Sequence, residues 1–251
     1  MTHMALDIQI PAPDVWLLRG GRSDSNCYYL PRHKILIEAG LAKTGSKIAT
    51  YLEKEGLRLD WLILTHADVD HVGGARTLAD ATGAFIACHE DEAPYLRQGK
   101  PRPFGRSLQG RVIAALAATQ SRFAKATEPV TVSRELNEGD QIGELQVLHL
   151  PGHSPGSIGL YQPSTGYLFA GDAILTQGAL TASADTSENP DILPFSYPAK
   201  SFRYDSVLAY RSLERLLRLD ITGVFPGHGE PYVRGTQTVR RGLERLLGSP
   251  Y

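Results

Sequence analysis

Residues 64–74 read Leu-Thr-His-Ala-Asp-Val-Asp-His-Val-Gly-Gly and continue a short apolar run that begins at Trp61. A run of that length and composition suits a strand buried on both faces of a sheet. The turn after it carries His66, Asp68, Asp70 and His71 within six residues. In extended chain, residues two apart point to the same side, so His66, Asp68 and Asp70 are expected to face a common centre. Val72 and the two glycines then open a helix, with His71 at its start. Imidazole and carboxylate are the donors that suit Zn²⁺, iron or Mn²⁺. Four such groups do not close two metal sites, so further ligands are expected from other parts of the chain.

Three more turns have the same form. His153 lies in Leu-Pro-Gly-His-Ser-Pro-Gly-Ser (150–157), Asp172 in Leu-Phe-Ala-Gly-Asp-Ala-Ile (168–174), and His228 in Phe-Pro-Gly-His-Gly-Glu-Pro (225–231). Each has a plain structural explanation when taken singly: a histidine bonded to a backbone carbonyl, or an aspartate capping a helix. Four strand-end turns that all carry His or Asp are hard to explain that way. Functional groups collect on loops at one edge of a rigid sheet. Of the other histidines, His149 reads as a satisfied strand residue, and His89 as a neighbour of the site rather than a ligand. Cys27 and Cys88 have no ligand partner at short spacing and read as core.

Around these turns the chain has two halves of similar grammar. Strands are expected at 15–19, 26–30, 34–38, 60–64 and 84–88, with helices at 45–56 and 73–82. The second half opens near 130, with strands at 130–133, 141–143, 145–150, 157–161, 166–170 and 221–225. Helices are expected there at 205–218, with Asp205 as N-cap, and at 235–247. Mixed strands and helices in both halves place the chain in the α/β or α+β class.

The four turns together resemble the metallo-β-lactamase superfamily over nearly the whole chain. The family's HxHxDH motif reads His66-Ala67-Asp68-Val69-Asp70-His71 here. Pro151-Gly152-His153, Gly171-Asp172 and Pro226-Gly227-His228 match its later motifs. Ser25–Leu30 and Ile35–Gly40 are similar to its first hairpin, with Glu38 where Asp is usual. The resemblance implies an α+β fold, an αββα four-layer sandwich of two mixed sheets packed face to face with helices outside, spanning residues 1–251 as one domain. It also implies two divalent ions, zinc first and Mn or Fe as alternatives. His66, Asp68 and His153 would hold one ion, and Asp70, His71 and His228 the other, with Asp172 bridging. A metal-bound hydroxide would attack a small ester, lactone or thioester, with Asp70 as the catalytic residue that orients the water. Phosphodiester or β-lactam hydrolysis, a mononuclear-iron oxidoreductase and a non-catalytic degenerate member are the alternatives. Asp68 stands where the family usually has histidine. Its added carboxylate makes the cluster less positive and favours harder ions.

Composition narrows the field further. With 26 Lys+Arg against 27 Asp+Glu in 251 residues, there is no global basic footprint for nucleic acid. No signal-like or membrane-spanning run is seen, so a cytoplasmic location, a small-molecule substrate and no nucleic-acid or membrane partner are expected. From the length, the added domains that the glyoxalase II, nuclease and flavoprotein branches carry are not expected. One window is unusual: 93–127 contains Arg97, Lys100, Arg102, Arg106, Arg111, Arg122 and Lys125 and no acidic residue. It reads as a basic helical insertion, either a solvated surface helix or a lid that draws anionic substrates inward.

Overall fold

The computed structural model describes residues 6–21, 24–102, 127–176 and 195–248. The described residues fall into two compact units, the first ending at Leu136 and the second beginning at Asn137. Each has its own sheet and its own apolar core. Among the described residues no helix is long and apolar enough to cross a membrane.

The first unit is a seven-stranded sheet whose strands lie in sequence order. These are β1 (Asp7–Ala12), β2 (Val15–Arg19), β3 (Cys27–Leu30), β4 (Ile35–Ile37), β5 (Trp61–Ile63), β6 (Phe85–His89) and β7 (Val132–Leu136). The first four run antiparallel, and β4 to β7 run parallel. Parallel strands need crossovers. Helix α1 (Ala42–Lys54) joins β4 to β5, and α2 (Val69–Val72) and α3 (Ala75–Thr82) join β5 to β6. A short α4 (Ala93–Gln98) follows β6. In α1 the buried residues include Thr44, Ile48 and Leu52, spaced four apart so that they form one stripe. At Gly45 a Cβ would lie only 2.4 Å from Gly74 Cα, so the missing side chain lets α1 approach the start of α3.

The second unit has a six-stranded sheet in the order β15-β14-β11-β10-β9-β8. Its strands are β8 (Gln141–Ile142), β9 (Leu145–His149), β10 (Ile158–Gln162), β11 (Tyr167–Gly171), β14 (Gly223–Pro226) and β15 (Tyr232–Val233). Two short strands, β12 (Leu175–Thr176) and β13 (Phe195–Ser196), pair separately. Helix α5 (Ser206–Leu216) starts where the sequence places it: the Asp205 carboxylate accepts from the backbone N–H groups of Val207 and Leu208. A final helix, α6 (Thr236–Gly248), buries Val239, Leu243 and Leu246 against the same core.

The mixed sheets with helices agree with the α+β reading. The differences are local. Strand β1 escapes sequence pattern because its apolar residues Ile8 and Ile10 are 36% and 65% exposed. The two-residue strands carry too few positions for any periodicity. Most of the basic window, residues 103–126, lies outside the described residues.

Candidate metal centre

In the first unit the chemistry sits at the carboxyl ends of the parallel strands, where ligand sites in such sheets form. Glu38 follows β4, the His66–His71 turn follows β5, and His89 ends β6. All four predicted donors of the turn are buried: His66 0%, Asp68 8%, Asp70 4% and His71 0% exposed. The expectation that His66, Asp68 and Asp70 lie along one extended segment needs correcting. Asp68 is extended, with φ −80° and ψ 144°, but Asp70 and His71 already lie in α2. The Asp68 carbonyl accepts from His71 and Val72 N–H at 2.9 and 3.0 Å, and these bonds wind the turn into a helix. His66 Nε2 lies 3.5 Å from Asp68 Oδ2, and His71 Nε2 lies 4.0 Å from Asp70 Oδ2.

Glu38 arranges the two histidines. It is 1% exposed and sits at φ +68°, a region that a non-glycine residue enters only when its surroundings hold it there. The Thr65 hydroxyl donates to Glu38 Oε1, and the same Thr65 oxygen lies 2.9 Å from His66 Nδ1. A hydroxyl has one proton, and an ionised carboxylate can only accept. The proton between Thr65 and His66 therefore belongs to His66 Nδ1. His71 Nδ1 lies 3.2 Å from the same Oε1. His66 is thereby set with Nε2 as the lone-pair nitrogen, on the side of Asp68, as metal ligation requires. Glu92, fully buried, accepts from Ala67 N–H at 2.9 Å and steadies the middle of the turn.

Two more buried groups brace this half-site. Asp24 accepts from Leu41 N–H at 2.7 Å, from Ser25 N–H and from the Thr44 hydroxyl. Burial pushes its carboxyl up, and the bonds from Thr44 and Leu41 pull it partly back. Arg102 reaches Asp68 with both arms of its guanidinium: Nε lies 2.6 Å from Oδ1, and Nη2 donates to Oδ2 at 2.8 Å. Arg102 is 2% exposed, so this member of the basic window is not a solvated residue.

In the second unit three separate turns supply the donors. Strands β9, β11 and β14 all run the same way, because β10 is antiparallel to both β9 and β11, and β11 is parallel to β14. Their carboxyl ends therefore share one edge of the sheet, followed by His153, Asp172 and His228. Register places Gly171 beside Pro226, and Gly227 N–H donates to Gly171 O at 2.7 Å. The Pro-Gly-His turn is fastened to α5. Asp205 N–H donates to Gly152 O at 3.0 Å, Tyr204 N–H to His153 O at 3.1 Å, and the Ser212 hydroxyl to Pro151 O at 2.7 Å. Gly152 has φ +147°, and a Cβ there would come within 2.3 Å of Ala209 Cα. Asp172 Oδ2 lies 3.8 Å from His153 Nε2 and 3.7 Å from His228 Nε2. These gaps are too long for hydrogen bonds. They are close to the roughly 3.4 Å between two ligands about 2.1 Å from a tetrahedral ion. The donor set thus fits a divalent metal.

The remaining candidates are accounted for. His149 Nε2 lies 2.9 Å from the Pro155 carbonyl, as a satisfied strand histidine should. His89 Nδ1 accepts from Asp91 N–H at 3.1 Å. Cys27 and Cys88 are buried, and burial pushes both thiols up, Cys88 to about 12, so they stay protonated and are poor ligands. Phe195 packs edge-on against Tyr232 in the core. The sequence reading treated Glu38 only as a departure from the family's usual residue and Arg102 only as one of a basic run. The acidic residue that ends Ile-Leu-Ile-Glu was the available signal for the first. For the second there was none.

Residues 20–228 match the model of the metallo-beta-lactamase superfamily. The chain belongs to this superfamily. It is 25% identical over 221 residues to the probable metallo-hydrolase YflN of Bacillus subtilis, covering 82% of this chain and 81% of that protein. It is 29% identical over 230 residues to the acyl-coenzyme A thioesterase MBLAC2 of Gallus gallus, covering 86% of this chain and 72% of that one. The fold matches that of a Cronobacter sakazakii metallo-β-lactamase with a HARLDQ motif. The TM-score is 0.66 at 20% identity, over 98% of this chain and 93% of the other. The superfamily's hydrolase fold is thus established for this chain.

Proposed function

We propose that this superfamily member is a metal-dependent hydrolase of small acyl esters, with a thioester as the first substrate to test. The observation that carries the reading is the Glu38–Thr65–His66 chain, which leaves the Nε2 lone pair of His66 on the side of Asp68. The thioesterase relative supports the substrate class. The family's pattern would assign His66, Asp68 and His153 to one divalent ion, and Asp70, His71 and His228 to the other, with Asp172 shared; Asp68 is the one position where this chain departs from that pattern. Zinc is the first choice, because imidazole dominates the donors; manganese or iron are the alternatives. Such ions, when bound, supply Lewis acidity and make water acidic enough to be deprotonated near neutral pH.

The chain's own groups do the rest. The Asp70 carboxylate accepts a hydrogen bond from the attacking water and aims its lone pair at the acyl carbon. Its backbone carbonyl accepts from Ser25 N–H at 3.4 Å, tying it to the loop that Asp24 braces. Glu38 keeps the His71 ring from turning as charge develops. Burial of the donors keeps bulk water from competing for them.

The test is hydrolysis of an ester, lactone, thioester and phosphodiester panel by the metal-loaded chain and by its Asp70→Asn variant. The expected result is acyl cleavage, thioester fastest, lost by about 10²-fold or more in the variant. Turnover of the phosphodiester alone, or full acyl turnover by Asp70→Asn at full metal content, contradicts the reading.

A further inference from the structure

We infer that Arg102 withdraws Asp68 from the metal-ligand set, so that the chain holds one divalent ion tightly and a second one far more weakly. The inference rests on the metallohydrolase reading above and concerns the one ligand position at which this chain departs from the family's motif.

Both oxygens of Asp68 are engaged by one guanidinium, Oδ1 by Nε at 2.6 Å and Oδ2 by Nη2 at 2.8 Å. Nη2 makes a charge-assisted hydrogen bond to Oδ2, and the close Nε contact adds Coulomb attraction. The pair is also shielded, with Arg102 2% and Asp68 8% exposed, so water weakens it little. Two effects follow for a cation beside His66. The carboxylate's charge is already balanced, and one lone pair of Oδ2 is taken by an N–H group. A fixed positive charge also stands next to the ion's position. Both lower affinity at the ion position that Asp68 would serve. Asp70 lies beside His71, whose Nδ1 is 3.2 Å from Glu38 Oε1. A buried ion pair stabilises a fold little more than well-packed apolar groups would. Its location in the ligand turn is therefore better explained by the charge it sets there. Arg102 is a positioning residue in this account and touches no reacting atom.

Metal stoichiometry and stepwise affinity test this directly. The probe is Zn²⁺ alone, titrated against a chromophoric chelator into metal-stripped wild-type chain, Arg102→Gln, and Asp68→His combined with Arg102→Gln. Circular dichroism checks that each variant is folded. In the wild type, one Zn²⁺ is expected to bind tightly and the second about 100-fold or more weaker. Arg102→Gln should strengthen the second step about 10-fold, and the double variant should bring the two steps within about 10-fold of each other. Two equally tight ions in the wild type, or a second step weakened by Arg102→Gln, would overturn the inference and leave the hydrolase reading standing. No Zn²⁺ uptake by the folded wild type would overturn both. The wild-type titration decides even if a variant fails to fold.

Discussion

The two units present their candidate metal donors in opposite ways. In the first, four donors come from six consecutive residues, and charged neighbours distant in sequence hold them: Glu38 through Thr65 and His71, Glu92 through Ala67, and Arg102 through Asp68. In the second, three donors come from three strand ends, and backbone does most of the holding, through sheet register and the bonds that fasten the Pro-Gly-His turn to α5. A contiguous turn brings its ligands together at little cost in order, but leaves ring orientation and charge to be set by side chains. A set spread over a sheet gets its orientation from the scaffold. The first half-site should therefore be sensitive to charge-changing substitutions and the second to substitutions that disturb backbone packing.

The largest expected effect is at Glu38. Glu38→Gln keeps the size of the side chain but removes the carboxylate that orients His66 through Thr65 and lies beside His71. Metal affinity should fall by about 10–100-fold with little change in melting temperature. A variant that binds metal normally would show that the first half-site does not depend on its charged neighbours. Gly152→Ala probes the other side. A methyl group at φ +147°, within 2.3 Å of Ala209 Cα, forces the His153 turn away from α5. Chemical denaturation should show a loss of about 1–3 kcal/mol, together with weakened metal binding. Unchanged stability would mean that the turn is not fastened as described. The smallest effect is at Asp205, whose carboxylate caps α5. Asp205→Ala should cost about 1 kcal/mol and leave metal affinity almost untouched, since the cap lies one step from the ligand turn.

This contrast also explains what could be read from sequence. The contiguous turn was legible because its donors are neighbours in the chain, and the Pro-Gly-His and Gly-Asp turns because each follows an apolar strand. Asp205 announced its helix for the same local reason. Glu38 and Arg102 were not legible in their roles. Glu38 meets His71 across the parallel pairing of β4 with β5, and Arg102 reaches back 34 residues to Asp68. Asp70 was misplaced onto an extended segment because the bonds to the Asp68 carbonyl that start α2 leave no mark in the residue pattern. Strand β1 was missed because its isoleucines face outward.

The most direct test of the central claim, that these donors make the chain a metal-dependent hydrolase of acyl esters, is thioester hydrolysis followed through one cycle of metal removal and return. The account predicts turnover by the chain as purified, loss of at least about 10²-fold after chelation, and recovery on adding Zn²⁺. Thioester hydrolysis that survives complete metal removal in the folded chain would contradict it.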